Sequence, residues 1–136
     1  MKIKQISHFK AASAMELFGL TPDNEPVDSI ELTNKKGMQL KVITYGATIT
    51  SLKMPLKRGG FVDVVLGFDD LESYINSFAL ESPPYFGATV GRFAGRINKG
   101  VFSLNGNRIS LNKNSNANSL HGGNIGFSQR IRCPFR

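Results

Sequence analysis

An all-β architecture, a sandwich or barrel with one short helix, is the fold class this chain predicts. Short apolar–polar alternations recur along it, turn residues punctuate them at close intervals, and only one stretch carries helical spacing. Fourteen glycines, six prolines and ten phenylalanines without a tryptophan lean the same way. At 136 residues with 40% apolar composition, the chain is sized for a single globular domain with a core of its own.

Residues 1–27 are weakly patterned, and Pro22, Asp23, Asn24 and Pro26 mark a loop. His8 sits among polar residues and reads as a surface histidine. Val27–Thr33 reads as a strand closed by a turn at Asn34-Lys35-Lys36-Gly37. Met38, Leu40 and Val42 alternate with Gln39 and Lys41, the period of a half-buried strand. Tyr45–Ile49 continues in β-branched residues, with Gly46 marking a bulge or a close backbone contact. Pro55 weakens the end of that segment, and Arg58-Gly59-Gly60 turns the chain. Phe61–Phe68 is almost continuously apolar, which predicts a strand covered on both faces. Asp69-Asp70 then offers a helix N-cap to Leu71, Tyr74, Ile75 and Phe78, spaced i, i+3, i+4, i+7. Pro83-Pro84 bounds that helix. Tyr85–Ile97 carries Gly87, Gly91 and Gly95, read as glycines in a strand that let another backbone or a ligand approach. Phe102/Leu104 and Ile109/Leu111 alternate with polar residues around Asn105-Gly106, a strong hairpin signal. Asn112–Asn118 is a polar, asparagine-rich loop.

Net charge is +7, from 17 Lys+Arg against 10 Asp+Glu. The basic residues are scattered except at Arg130, Arg132 and Arg136, so no basic arm argues for nucleic acid. A single cysteine, Cys133, excludes an internal disulfide and a multi-cysteine zinc site. Ser13 and Glu16 interrupt the apolar patch Ala11–Leu20, a poor signal core, and no stretch has the apolar length to span a bilayer. These features predict a cytoplasmic protein with no membrane partner; they leave the oligomeric state open.

The glycines of 87–95 lack the dinucleotide and phosphate-loop spacings, no Gly-x-Ser-x-Gly elbow occurs, and no carboxylates group around either histidine to bind a metal. Arg92 and Arg96, four apart on an expected strand, would point to the same side. A guanidinium fork suits the paired oxygens of a sugar diol, although spacing alone favours surface arginines or salt bridges. His121 precedes Gly122-Gly123, and imidazole as a class of side chain can both give and take a proton near neutrality. Spacing alone equally allows a loop histidine bonded to its own backbone.

Taken in order, the segments Tyr45-Gly46-Ala47-Thr48-Ile49, Asp63-Val64-Val65-Leu66-Gly67-Phe68, Phe86-Gly87-Ala88-Thr89-Val90-Gly91-Arg92-Phe93-Ala94, Arg96-Ile97 and Asn118-Ser119-Leu120-His121-Gly122-Gly123, with Gly126-Phe127, resemble the aldose 1-epimerase (galactose mutarotase) family over roughly Val27–Phe127. The resemblance implies a large antiparallel β-sandwich that interconverts α and β anomers of free hexoses such as galactose or glucose. One group takes the proton of the anomeric hydroxyl while another protonates the ring oxygen; the ring opens, rotates and recloses. No metal or organic cofactor is implied. By position, Arg96 resembles the family's sugar-binding arginine and His121 the first of its two active-site histidines. The family commonly carries asparagine before that arginine, where this chain has Gly95 in the sugar-binding segment. The second histidine, a sugar-gripping aspartate and the glutamate base lie downstream of the His-Gly-Gly motif in the family, and no counterparts are assignable here. Residues 1–136 are therefore expected to be the N-terminal portion of a mutarotase-like domain, with little turnover alone; a carbohydrate-binding module on the same fold is the alternative expectation.

Overall fold

The computed structural model describes residues 9–10 and 15–132. His8, Cys133 and Arg136 lie outside the described residues. The strands, all antiparallel, are β1 (Phe9–Lys10), β2 (Glu16–Leu20), β3 (Pro26–Asn34), β4 (Gln39–Ile43), β5 (Thr48–Pro55), β6 (Phe61–Asp63), β7 (Arg96–Ile97), β8 (Val101–Leu104), β9 (Asn107–Ser110) and β10 (Ser119–Leu120). One α-helix, α1 (Leu71–Ser77), lies among the described residues. The main sheet runs β1-β3-β4-β5-β6, with β2 also on β3; β7 pairs with β10 and β8 with β9.

Sequence alternation becomes register in β3 and β4, where Ile30 faces Val42 and Leu32 faces Leu40. The turn between them puts Gly37 at φ +82. Strand β2 escaped the sequence reading because its register shifts between Leu17 and Gly19, which breaks the period of two. Gly19 is also where Leu71 of α1 sits closest, within 3.0 Å of the place a Cβ would occupy.

Helix α1 forms as its spacing predicts. Asp70 caps it, accepting from the Ser73 backbone N–H at 2.7 Å and the Ser73 hydroxyl at 2.9 Å. These bonds hold the Asp70 carboxyl below its ordinary pKa. Leu71 and Tyr74 join Val27, Ile43 and Tyr45 in the buried core; Phe18, Phe68, Ile75 and Phe78 pack around it.

Two expected strands are corrected. Of Phe61–Phe68, only Phe61–Asp63 is strand, and all three residues are exposed. The Asp63 carboxylate accepts the backbone N–H groups of Leu52 (3.0 Å) and Val65 (3.1 Å), so side-chain bonds replace the ladder and the chain leaves the sheet. Beyond it, Tyr74 draws the segment towards α1 by accepting the Phe68 N–H at 3.1 Å. Of Tyr85–Ile97, only Arg96–Ile97 is strand. The close approaches expected of its glycines are nonetheless present: a Cβ on Gly87 would overlap the Ile49 carbonyl, and one on Gly91 would reach within 2.6 Å of the Phe127 ring.

Gly46 (φ +66) makes a tight turn between β4 and β5 rather than continuing a strand. It receives both flanks of the candidate site. Its N–H donates to the Arg130 carbonyl (2.8 Å), and its carbonyl accepts the Thr89 N–H (3.1 Å). A Cβ here would run into the Ser128 carbonyl. Large apolar side chains, among them Leu17, Val64, Leu66, Leu104 and Ile125, remain on the surface.

Candidate functional site

Arg96 and His121 come from distant parts of the sequence and meet through a short ribbon. In the β7–β10 pair, Leu120 stands opposite Arg96 and Ser119 opposite Ile97. His121 is therefore the first residue past the pair. There Gly95 grips it twice: the His121 N–H donates to the Gly95 carbonyl, and the Gly95 N–H donates to Nδ1 of the imidazole, both at 3.1 Å. A ring nitrogen that accepts carries no hydrogen, so the neutral imidazole is the Nε2–H tautomer, and Nε2 is its remaining donor.

The backbone at this point is left-handed over three residues, with φ of +53 at His121, +98 at Gly122 and +88 at Gly123. Glycine is required at Gly122, where a Cβ would overlap the Gly91 carbonyl oxygen. His121, as an L-residue in this region, sits about 1–2 kcal/mol above an extended backbone and needs surrounding bonds to hold it there. The edge of the Tyr85 ring closes one side of the imidazole at a centroid distance of 4.9 Å, and Phe78 backs Tyr85 at 5.4 Å. Burial raises the Tyr85 phenol above its ordinary pKa.

Arg96 and His121 line one cavity of about 640 Å³, whose wall also includes Tyr85, Asn114, Asn116, Asn124 and Gln129. Neutral amides and the hydroxyls of Ser82, Tyr85 and Ser115, with one guanidinium and one imidazole, make a surface of hydrogen-bond donors and acceptors. Glu81 is the single carboxylate in that wall. Such a lining suits a neutral polyhydroxylated molecule better than an anion or an apolar one.

Arg92 is not part of this group. Off any strand, it lines a separate, mainly apolar cavity of about 730 Å³ with Phe93, Phe102, Ile125 and Phe127. Its guanidinium lies 5.8 Å from the centre of the Phe127 ring, and Arg132 stacks closer on the same ring at 4.0 Å. The expectation that Arg92 and Arg96 share a side fails because the chain between them is not strand. Gly95 borders this apolar cavity too, with its N–H and carbonyl both committed to His121. Sequence reasoning missed Tyr85 and Asn114 as site residues. An aromatic beside Pro83-Pro84 and an asparagine in a polar loop carry no periodic signal; only the density of asparagines between 112 and 118 hinted at side-chain bonding to backbone. Among the described residues, no three His, Cys, Asp or Glu side chains group to hold a metal, and no helix is long and apolar enough to cross a membrane.

Comparison with known proteins identifies the family and the fold. A family model described as aldose 1-epimerase matches residues 28–131. Galactose mutarotase of Bos taurus is 46% identical over 97 residues, covering 71% of this chain and 27% of its own length. Aldose 1-epimerase of Escherichia coli K12 is 33% identical over 111 residues, covering 82% of this chain and 31% of its own. A crystal structure of a GalM/aldose epimerase homologue from C. elegans superposes with a TM-score of 0.67 at 32% identity, over 77% of this chain and 31% of that one. Galactose 1-epimerase from Lactobacillus acidophilus gives 0.65 at 30% identity, over 87% and 32%. The chain thus spans about a third of the length of the relatives it matches. The antiparallel, mostly β fold of the described residues, with one helix among them, matches part of these epimerase structures, and the chain belongs to the aldose 1-epimerase family.

Proposed function

We propose that this polypeptide provides the Arg96/His121 side of an aldose 1-epimerase site acting on a free hexose such as galactose. The observation that carries the reading is one polar, amide-walled cavity holding both side chains, with Nδ1 of His121 already occupied by the Gly95 N–H. Arg96 offers its fork to two adjacent hydroxyls of the sugar. The Nε2–H of His121 donates to a sugar oxygen, which holds the pyranose and supports proton delivery as the ring opens. Catalysis needs a partner base at the anomeric hydroxyl. We place that base, the second histidine and the aspartate on a downstream part of the domain, and residues 1–136 in its N-terminal portion. A positioned acid or base contributes about 10²–10⁴-fold, so the polypeptide without them turns over slowly. The chemistry uses no cofactor, and we assign the protein to the cytoplasm, with neither nucleic acid nor membrane as partner.

Two measurements test this. Galactose titrated into the protein is expected to shift the His121 ring resonances, and Arg96→Ala to remove the response. Anomer exchange, followed by polarimetry, is expected to accelerate only when the downstream part of the domain is joined to the chain. A ring that ignores galactose removes the sugar assignment. Full acceleration by the 136-residue chain alone removes the account of the missing base. A second reading, a non-catalytic carbohydrate-binding module, is favoured by the single carboxylate in the cavity wall; sugar binding without acceleration in the joined protein would select it.

A further inference from the structure

We infer that Asn114 is a positioning residue that sets the imidazole of His121, an inference that rests on the sugar-holding role given to His121 above. Asn114 uses its whole amide on the segment around the histidine. Its Oδ1 accepts the Leu120 N–H at 2.7 Å, and its Nδ2 donates to the carbonyls of Leu120 (2.9 Å) and Gly123 (3.0 Å). Of the two residues it holds, Leu120 immediately precedes the left-handed run His121-Gly122-Gly123 and Gly123 ends it.

Past β10, which ends at Leu120, the run is held by the two Gly95 bonds to His121, by the Gly123 N–H donating to the Leu120 carbonyl at 3.0 Å, and by the Asn114 bridge. Without the bridge, the strained φ of His121 would relax and Nδ1 would swing off the Gly95 N–H. The imidazole would then lose both its aim and its fixed tautomer. Asn114 is itself fixed at the base of the loop, where its N–H donates to the Asn118 carbonyl at 3.2 Å.

The chemistry of the bridge is specific to asparagine. Aspartate keeps the acceptor for Leu120 N–H but turns two donor bonds into oxygen facing carbonyl oxygen. Glutamine is one methylene too long, and alanine offers nothing.

The test compares wild type, Asn114→Asp, Asn114→Ala and, as a neighbouring control, Lys113→Ala. Long-range imidazole ¹H–¹⁵N spectra are recorded without sugar, then with galactose. The chain has two histidines, so His8 serves as the internal reference. Wild type and Lys113→Ala are expected to show His121 as a single Nε2–H tautomer. Both Asn114 variants are expected to show a tautomer mixture and about tenfold weaker galactose binding, with the amide resonances of β3, β4 and β5 in place. An unchanged His121 spectrum in Asn114→Asp overturns the inference. So does equal disturbance by Lys113→Ala, and so does collapse of the sheet resonances in both Asn114 variants, which would make Asn114 a support of the fold rather than of the ring. Because the tautomer is read before sugar is added, a wild-type ring that ignores galactose counts against the sugar assignment and leaves this result standing.

Discussion

Replacing Gly122 with alanine separates two costs that usually arrive together. Gly122 has φ +98, and its would-be Cβ overlaps the Gly91 carbonyl oxygen, with the carbonyl carbon at 2.9 Å and the Gly126 Cα at 3.0 Å. All three neighbours are backbone, so none yields by rotating a side chain. Gly59, in the turn between β5 and β6, has a similar φ of +86 but nothing within 4 Å of the same position. Gly59→Ala therefore measures the conformational cost alone, about 1–2 kcal/mol. Gly122→Ala adds the overlap, for which forced displacement in a packed region costs about 1–3 kcal/mol more. Urea unfolding of both variants, followed by circular dichroism, reads the difference as a change in midpoint at constant slope. The His121 loop would part from the Gly91 turn, so Gly122→Ala is also expected to blunt the galactose response of His121 while Gly59→Ala leaves it intact. Equal midpoints for the two variants would refute the claim that the loop is wedged against Gly91.

Further expectations concern the frame of the site and the fold beneath it. Gly95→Asn, which restores the residue common in the family, is expected to lower stability by about 1 kcal/mol, because φ +104 lies outside the region an L-residue adopts easily; thermal melting checks it. Tyr74→Phe leaves the Phe68 N–H without its acceptor and is expected to cost about 1 kcal/mol by urea unfolding. Acid lability is expected from two aspartates. Bonds from Ser51, Leu52 and Val65 lower the pKa of Asp63, and the Ser73 bonds lower that of Asp70. Their stabilisation is complete above the ordinary aspartate range and is lost as pH falls through the lowered values, so Asp63→Asn should flatten the acid limb of a melting-temperature profile. At the other end, burial raises the phenols of Tyr45, Tyr74 and Tyr85. The unfolded chain ionises them first, so stability should fall as pH rises past the ordinary value of 10.0.

Much of this fold was legible wherever one physical signal acted alone. Asn105-Gly106 fixes a hairpin through its own backbone preferences, with φ +49 and +79, and α1 declares itself by a cap and a spacing. Legibility failed where side chains bond to distant backbone. Nothing apolar in Phe61–Phe68 shows that Asp63 will take ladder bonds, and nothing in the spacing of Arg92 and Arg96 shows that the intervening chain leaves the strand. The site was half legible. Family resemblance singled out Arg96 and His121, but the bonds that aim the imidazole come from Gly95 and Asn114, which speak through atoms rather than pattern.

The β8–β9 hairpin hangs from the site as a closed stalk. Among the described residues its strands pair only with each other, and two bonds clamp its root: Leu111 N–H to the Gly100 carbonyl at 2.7 Å and Lys99 N–H to Asn118 Oδ1 at 3.1 Å. Lengthening the tip at Asn105-Gly106 leaves the distance between β7 and β10 untouched. Natural length variation should therefore accumulate there, and a fluorescent or lanthanide-binding insert spliced into that tip would report on sugar arriving nearby without disturbing the groups that receive it.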